Sequence, residues 1–272
     1  MENIELQNSV FKEKFEKLKV ILLDLDGTIY IGDKLIDGAK DALDFFRKNG
    51  KQLVFLTNNS SKTDEEYVKK LSALGVYKSG DAVYTSGDAA LEYLIKFYAE
   101  KRVFLLADDK LKDEFSQAGV ILSDTEPEIA LLAYDTTLTF EKIKTFDKFL
   151  KKGVLYLATH PDAVCPAPDY SMPDVGSFIE MFYKSSGRRP DKIIGKPNTI
   201  MGDMVKYKYS VTSDEVMMVG DRMYTDIRFA INNGFNSMAV LSGETSLEDY
   251  LNGETKATFV FDDISKCLKF FN

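Results

Sequence analysis

Two aspartates, Asp24 and Asp26, end an apolar run that begins at residue 20 and stops before Gly27. One carboxylate in such a pair can attack phosphorus and form an aspartyl phosphate. The second, two residues on, can protonate the leaving oxygen and later deprotonate a water. Taken alone, the same spacing suits a helix cap or a turn equally well. The pair therefore indicates phosphoryl transfer only if other residues of complementary chemistry lie close to it.

Four more polar residues also follow apolar runs, namely Thr57, Asn58, Lys196 and Asp221. Each has an ordinary interpretation as a turn residue, a solvated lysine or a helix cap. Together they would supply a hydroxyl and amides to orient phosphoryl oxygens, a cation to offset their charge, and a third carboxylate. An oxygen-rich site of this kind suits Mg²⁺. The set as a whole predicts a metal-dependent phosphoryl-transfer site.

The elements that must position these residues alternate along the chain, which predicts right-handed βαβ units and a parallel sheet covered on both faces. Ligands of such sheets bind beyond the carboxyl ends of the strands. The predicted strands cover residues 20–26, 52–57, 83–85, 103–107, 129–134, 154–159, 193–197, 215–221 and 237–241. The predicted helices cover residues 37–49, 63–74, 88–98, 111–118, 140–150 and 199–208, and residues 11–18 show helical apolar spacing.

The middle of the chain is less regular than its two ends. Four of the seven prolines fall within residues 161–173, which predicts an irregular loop there. The α/β alternation then resumes from residue 193. The simplest architecture is a doubly wound parallel-sheet core built from both chain ends, with a smaller α/β domain inserted between them.

Composition narrows the class of protein. The formal net charge of −8 argues against a nucleic-acid partner, which usually meets a basic surface. The longest uncharged apolar runs are about five or six residues, against the roughly 20 needed to span a bilayer. The first 19 residues are charged throughout and lack the apolar centre of a signal peptide. We expect a cytoplasmic protein without a membrane partner.

The sequence resembles the haloacid dehalogenase superfamily of phosphohydrolases, and more narrowly its NagD or 4-nitrophenyl-phosphatase branch, from residue 20 onward. The superfamily motifs are Asp24-Leu25-Asp26-Gly27-Thr28, Thr57-Asn58-Asn59-Ser60, Gly195-Lys196-Pro197 and Gly220-Asp221-Arg222 with Asp226. The branch signature covers residues 24–30, 57–61, 159–162, 195–198, 220–226 and 241–245. The resemblance implies a Rossmann-like core at residues 1–98 and 189–272 and an α/β cap at residues 99–188.

The resemblance also implies roles for the acidic residues. Asp24 would be the nucleophile and a side-chain ligand of Mg²⁺. Asp26 would be the general acid and base and would bind the metal through its backbone carbonyl. Asp221 would complete the metal shell, Asp226 would orient that shell from behind, and Gly27 would support the site.

The remaining implied roles concern the phosphoryl group and the substrate. Thr57, Asn58 and Lys196 would hold the transferring phosphoryl group, with Asn59 in support. The resemblance places residues 159–162 near the mouth of the active site, so His160 and Asp162 are candidate substrate contacts. His160 is the single histidine of the chain, and a structural role is its simpler interpretation.

These features predict a Mg²⁺-dependent phosphatase acting on small phosphate monoesters, of the 4-nitrophenyl phosphate, sugar phosphate or nucleotide class. A cap that closes over the site would exclude water and favour small phosphorylated metabolites. The motifs leave open a phosphotransferase or mutase using the same intermediate, and a non-catalytic sensor of phosphorylated metabolites. A dehalogenase is disfavoured because dehalogenases of the superfamily lack the second aspartate. The resemblance also leaves open a homodimer formed through the cap.

Overall fold

A computed structural model describes residues 2–165 and 170–271 of the 272-residue chain. These residues form two compact units. The first unit contains residues 2–57, 65–84 and 205–271, and the second contains residues 58–64 and 85–204 apart from the gap. The domain division predicted at residues 98/99 and 188/189 stays a prediction, because compact units need not coincide with folding domains.

Strands and helices alternate along most of the described chain. The strands are, in chain order, β1 Val20–Leu23, β2 Tyr30–Ile31, β3 Lys34–Leu35, β4 Gln52–Thr57, β5 Ala82–Thr85, β6 Arg102–Leu106, β7 Ile121–Leu122, β8 Ile129–Leu132, β9 Leu155–Ala158, β10 Val164–Cys165, β11 Met172–Pro173, β12 Lys192–Ile193, β13 Val216–Gly220, β14 Asn236–Val240 and β15 Phe259–Phe261. The α-helices are α1 Glu2–Lys17, α2 Ala39–Lys48, α3 Asp64–Ala73, α4 Ser86–Tyr98, α5 Asp109–Gln117, α6 Phe140–Lys151, α7 Val175–Ser186, α8 Thr199–Tyr209, α9 Arg228–Asn233 and α10 Leu247–Asn252. Short 3₁₀-helices cover Ser213–Glu215 and Ile264–Phe270, and a π-helical turn covers Met223–Ile227.

Among the described residues, six strands from both ends of the chain form the sheet of the first unit, in the order β15-β14-β13-β1-β4-β5. On one side of the sheet, β1 is followed by β4 and β5. On the other side, β13 is followed by β14 and β15. β1 pairs in parallel with β13 and with β4, so that Leu23 is opposite both Val219 and Phe55. The order therefore reverses between β1 and β13, which is the position where doubly wound sheets bind ligands.

The central strands of the first unit read as apolar runs because both of their faces are covered. All four residues of β1 and all five of β13 are buried. Helix α1 contributes to this core as its apolar spacing suggests: the Phe11 ring meets the Phe259 ring edge-on, with centroids 4.7 Å apart. Such an aromatic pair adds about 0.5–1.5 kcal/mol to the stabilisation from burial.

The second unit has its own parallel sheet and its own core. Within the described part of the chain its strands lie in the order β12-β9-β8-β6-β7, and each neighbouring pair is parallel. Phe146 and Phe182 pack at its centre with ring centroids 4.7 Å apart. His160 comes two residues after β9 and Lys196 three residues after β12, so both follow the carboxyl ends of adjacent strands.

The predicted fold class, a doubly wound parallel α/β core with a second, smaller α/β unit, is confirmed. The main departures lie in the middle of the chain and toward its C-terminal end, where α9, α10 and β15 were not predicted. Helix α7 was not predicted, and the loop predicted at residues 161–173 contains the short antiparallel pair β10 and β11. Residues 166–169 of that loop lie outside the described residues. No helix in the described ranges is both long enough and apolar enough to cross a membrane.

Candidate active site

Asp24 and Asp221 lie at the point where the strand order of the first unit reverses. Each follows directly after one of two adjacent parallel strands, β1 and β13, and the Asp24 N–H donates to the Val219 carbonyl at 2.9 Å. Asp226 comes from the π-helical turn, where its N–H donates to the Arg222 carbonyl at 2.9 Å. One carboxylate oxygen from each of the three aspartates lies within 4.8 Å of the other two. The fold of this unit therefore gathers three acidic side chains in one place.

Two glycines enclose the carboxylate of Asp221. A Cβ atom added to Gly27 would lie 2.3 Å from Asp221 Oδ2, and one added to Gly243 would lie 2.0 Å from it. Gly27 also has φ +80°, a conformation that costs other L-residues about 1–2 kcal/mol. The backbone N–H of Glu244 donates to Asp221 Oδ2 at 2.7 Å. Glycine is required at both positions because any side chain there would displace the carboxylate.

The charge environment of Asp221 is unfavourable in the absence of a cation. Its side chain is buried, and this burial together with the negative charge of Asp24 raises the pKa of Asp221 to about 6. Its Oδ1 atom is buried without a hydrogen-bond partner among the described residues. Burial lowers the pKa of the Arg222 guanidinium, but the charges of Asp24 and Asp221 outweigh it and raise that pKa. The Nε atom of Arg222 also lies 3.0 Å from a carboxylate oxygen of Glu244.

These observations fit a hard divalent cation such as Mg²⁺. Clustered carboxylate oxygens are the ligands such ions prefer. The buried Oδ1 of Asp221 offers a ligand atom, and a cation would offset both the burial of this carboxylate and its repulsion by Asp24, which together raise its pKa. Asp26 follows two residues after Asp24 with an exposed side chain. Its predicted contribution through a backbone carbonyl stays a prediction.

In the second unit, the side chain of Asn58 binds the backbone of Lys196. Asn58 Oδ1 accepts from the Lys196 N–H at 2.8 Å, and Asn58 Nδ2 donates to the Lys196 carbonyl at 2.9 Å. Nδ2 also lies 3.1 and 3.2 Å from the carboxylate oxygens of Asp162. The side chain of Lys196 is buried. Asn58 thus holds the peptide that carries Lys196, a function that its motif alone does not indicate.

Both ring nitrogens of the single histidine lie beside side-chain oxygens of the protein. His160 is fully buried, with Nε2 2.9 Å from Asp174 Oδ1 and Nδ1 3.0 Å from Thr159 Oγ1. The structural interpretation is consistent with this burial, and the predicted substrate contact of His160 stays a prediction. Asp162 is half-buried and bonded to Asn58, and its predicted substrate contact stays a prediction.

The two remaining predicted residues lie at the end of β4 and just after it. Thr57 is the last residue of that strand and is half-buried. Asn59 Oδ1 accepts from the N–H groups of Ser61 at 2.9 Å and Lys62 at 3.2 Å, which holds the turn after the strand. This supports Asn59 as a residue that shapes the loop, while the phosphoryl contact of Thr57 stays a prediction.

Comparison with known proteins gives the family. A haloacid dehalogenase-like hydrolase model matches residues 21–121, and a HAD-hydrolase-like model matches residues 193–267. The acid sugar phosphatase of Staphylococcus aureus is 30% identical, over 93% of this chain and 98% of that protein. The chain belongs to the haloacid dehalogenase-like hydrolases.

Solved structures refine this assignment. The 4-nitrophenylphosphatase of Thermotoga maritima matches with a TM-score of 0.89 and 40% identity, over 94% of this chain and 98% of that one. The glycerol phosphate phosphatase of Mycobacterium tuberculosis, solved with magnesium, matches with a TM-score of 0.85 and 25% identity, over 93% of this chain and 78% of that one. This haloacid dehalogenase-like hydrolase is a NagD-like phosphatase, a phosphoric monoester hydrolase.

Sequence reasoning missed several residues that build the site of this hydrolase. Gly243 and Glu244 lie in residues 241–245, which were recognised as part of the branch signature without a role. No pattern in the residues around Ser86 indicated that it belongs to the site, although its hydroxyl donates to the Asn58 carbonyl. A signal did exist for Asp174, because an aspartate before an apolar helical run is a common N-cap, and Asp174 caps α7.

Proposed function

We propose that this protein is a Mg²⁺-dependent phosphatase that hydrolyses small phosphate monoesters through an aspartyl phosphate on Asp24. The observation that carries the proposal is the cluster of Asp24, Asp221 and Asp226, with one buried carboxylate oxygen lacking a hydrogen-bond partner among the described residues. A structural acidic turn would not need a carboxylate held between glycines and destabilised by its neighbour. A metal site accounts for both, because the ion needs carboxylate oxygens held close together and offsets their repulsion.

Asp24 and Asp221 would hold Mg²⁺ through their side chains and Asp26 through its backbone carbonyl. Asp226 would orient Asp221 and the adjacent turn rather than bind the metal itself. Bound Mg²⁺ supplies positive charge that offsets repulsion between the Asp24 carboxylate and an anionic phosphoryl group. The magnesium complex of the Mycobacterium tuberculosis phosphatase supports this choice of ion.

The reaction needs two steps on the residues of this chain. In the first, a carboxylate oxygen of Asp24 attacks phosphorus, the bond from phosphorus to the leaving oxygen breaks, and Asp26 gives that oxygen a proton. In the second, Asp26 takes a proton from a water whose oxygen attacks phosphorus. The bond between phosphorus and the Asp24 oxygen then breaks, which restores the carboxylate and releases inorganic phosphate.

Thr57, Asn58 and Lys196 would hold the phosphoryl group. Because the Asn58 side chain is already bonded to the Lys196 peptide, we assign it an indirect part, in which it fixes the backbone that carries the lysine. The Lys196 ammonium would offset charge on the phosphoryl oxygens, and the Thr57 hydroxyl would orient them. Asn59 would support this group by holding the turn that follows Thr57.

The proposed substrates are small phosphorylated metabolites. Relatives named 4-nitrophenylphosphatase, acid sugar phosphatase and glycerol phosphate phosphatase support this size class. We favour small phosphate esters, such as those of short polyols and sugars, over phosphoproteins, because a cap that closes over the site would admit only small molecules.

The test is phosphate release from 4-nitrophenyl phosphate and from a panel of sugar and polyol phosphates, with Mg²⁺ or with a chelator. Wild type should be active, should lose activity with the chelator and should recover it on adding Mg²⁺. Asp24→Asn should be inactive, whereas Asp33→Asn, which changes an exposed aspartate of the same unit, should match wild type. An inactive wild type that still binds Mg²⁺ would refute the phosphatase, and an active Asp24→Asn would refute the covalent step.

A further inference from the structure

A chain of buried polar side chains reaches the backbone of Asn58 within the second unit. Asp174 Oδ1 lies 2.9 Å from His160 Nε2, and His160 Nδ1 lies 3.3 Å from Ser86 Oγ. The Ser86 hydroxyl donates to the carbonyl oxygen of Asn58. His160 and Ser86 are fully buried, and Asp174 nearly so. Burying such groups is costly unless they are hydrogen-bonded, and the proposed reaction uses none of them directly.

The direction of each hydrogen bond follows from the chemistry of the groups. A carboxylate only accepts, so Nε2 of His160 carries the hydrogen it shares with Asp174. Asp174 Oδ1 is itself held, because it accepts from the Val175 N–H at 2.7 Å at the start of α7. The single hydrogen of the Ser86 hydroxyl goes to Asn58, so a hydrogen bond between Ser86 and the imidazole needs a hydrogen on Nδ1 as well as on Nε2. Thr159 Oγ1, 3.0 Å from the same Nδ1, can share that hydrogen. The ring thus links the helix cap at Asp174 to the side chain that holds Asn58.

Asn58 is consequently held at both ends. Ser86 fixes its main-chain carbonyl, while its side-chain amide pairs with the peptide groups of Lys196. There is little free space around this amide, since a Cβ on Gly195 would lie 2.6 Å from Asn58 Oδ1. A shift of the Asn58 backbone would therefore be transmitted to the Lys196 peptide.

We infer that His160, together with Ser86 and Asp174, is a positioning residue that sets the place of Asn58 and hence of the Lys196 ammonium. The inference rests on the proposed function of Lys196 in binding the phosphoryl group. It gives the single histidine a part in the reaction without contact to the substrate. A misplacement of about 1 Å in a catalytic group can cost on the order of 100-fold in rate, so such a network has measurable consequences.

The kinetic test removes one hydroxyl. Ser86→Ala should lower kcat for 4-nitrophenyl phosphate by about 10- to 100-fold and change KM by less than about threefold, because charge stabilisation suffers more than ground-state binding. The matched control is Ser237→Ala in the first unit, which removes a buried hydroxyl that accepts from the Thr258 N–H at 2.8 Å. This variant should lose similar stability and keep its kcat. Equal kcat values for the two variants would overturn the inference.

A spectroscopic test is independent of activity. Because the chain has one histidine, the ¹⁵N resonances of its imidazole need no assignment. Ser86→Ala and Asn58→Ser should each shift the Nδ1 resonance, and Ser237→Ala should not. If the Nδ1 resonance does not shift in Ser86→Ala and Asn58→Ser, the inference is overturned whatever the kinetic result.

The two tests also separate this inference from the proposed function. If wild type hydrolyses none of the phosphate esters, the proposed function fails. Binding of orthovanadate, an analogue of the phosphoryl-transfer transition state, in the presence of Mg²⁺, measured by calorimetry, then replaces kcat as the readout for Lys196. Ser86→Ala should weaken that binding about tenfold relative to Ser237→Ala, and equal binding by the two variants would overturn the positioning function.

Discussion

The carboxylate cluster of the first unit and the Asn58–Lys196 cluster of the second are stabilised in opposite ways. Asp24, Asp221 and Asp226 bring like charges together. Burial, together with the charge of Asp24, raises the pKa of Asp221. In the other cluster, hydrogen-bond donors are paired with acceptors. The Asn58 side-chain amide bonds to the backbone N–H and carbonyl of Lys196 and to the Asp162 carboxylate. The first cluster is strained until a cation binds, whereas the second is satisfied by the protein alone. Removing one carboxylate charge should therefore raise stability in the first cluster and lower it in the second.

The largest effect should come from Asp24→Asn. Loss of the nucleophile should lower phosphatase activity about 10⁴-fold or more. In the presence of a chelator, the same change should raise the free energy of unfolding by about 1 kcal/mol, because it removes a negative charge beside buried Asp221. Urea denaturation with a chelator measures this gain.

The counterpart of that change in the second unit is Asp162→Asn. Here the carboxylate accepts from Asn58 Nδ2, so removing its charge weakens a charge-assisted hydrogen bond. We expect a loss of about 1 kcal/mol rather than a gain. If both asparagine variants change stability in the same direction, the contrast between the two clusters is wrong.

A second test crowds the carboxylate instead of removing it. In Gly27→Ala the new Cβ would lie 2.3 Å from Asp221 Oδ2, in a backbone with φ +80°. Gly80→Ala is the control, because Gly80 has φ +97° and no described atom within 4 Å of an added Cβ. Both should lose about 1–2 kcal/mol from the backbone alone. Gly27→Ala should lose a further 1–3 kcal/mol or so from overpacking.

Activity should separate these two variants further. Gly27→Ala should lower kcat/KM about 100-fold and raise the Mg²⁺ concentration needed for half-maximal activity, because it displaces a proposed metal ligand. Gly80→Ala should match wild type in both respects. A Gly27→Ala protein with an unchanged Mg²⁺ requirement would show that Asp221 is not part of the metal site.

The corresponding change in the second unit is Gly195→Ala. Its Cβ would lie 2.6 Å from Asn58 Oδ1 and 2.8 Å from the Thr159 carbonyl oxygen. Because Asn58 and the Lys196 peptide must then move together, we expect kcat to fall about tenfold and stability to fall by about 1–3 kcal/mol. The Mg²⁺ concentration for half-maximal activity should stay unchanged. A shift in that concentration would indicate that the two clusters do not act separately.

The carboxylate cluster was the more predictable of the two. Asp24 and Asp221 each end an apolar run, and the alternation of strands and helices already indicated a parallel sheet whose ligands bind beyond such ends. Adjacent parallel strands then had to bring the two residues together, as β1 and β13 do. The glycines around Asp221 were visible in the sequence, but their contacts depend on loops far apart in the chain.

The second cluster was less predictable because its hydrogen bonds join residues far apart in the sequence. Ser86 is 28 residues from Asn58 and 74 from His160, and no spacing rule connects a helix-starting serine with either. Asn58 itself was recognised, but a motif does not show whether an amide faces a ligand or another peptide. Helix α7 was missed next to the proline-rich segment, and with it the link from Asp174 to His160.

The smallest effect should come from Glu244, whose two contacts with the first cluster can be separated. Its side chain lies 3.0 Å from Arg222 Nε and is about half exposed, and a pair of this kind contributes at most about 1 kcal/mol. Its backbone N–H is the group that donates to Asp221 Oδ2. Glu244→Gln keeps the N–H, so we expect activity within about twofold of wild type and a stability change below about 0.5 kcal/mol.

Glu244→Pro removes the N–H instead, which leaves a buried carboxylate with one hydrogen bond fewer. A hydrogen bond to a charged group contributes about 1.5–3 kcal/mol, so this variant should be destabilised by about that amount and should need more Mg²⁺ for activity. Denaturation curves and Mg²⁺ titrations of the two variants give the comparison. If Glu244→Gln is impaired as strongly as Glu244→Pro, the ion pair with Arg222 rather than the peptide group holds Asp221 in place.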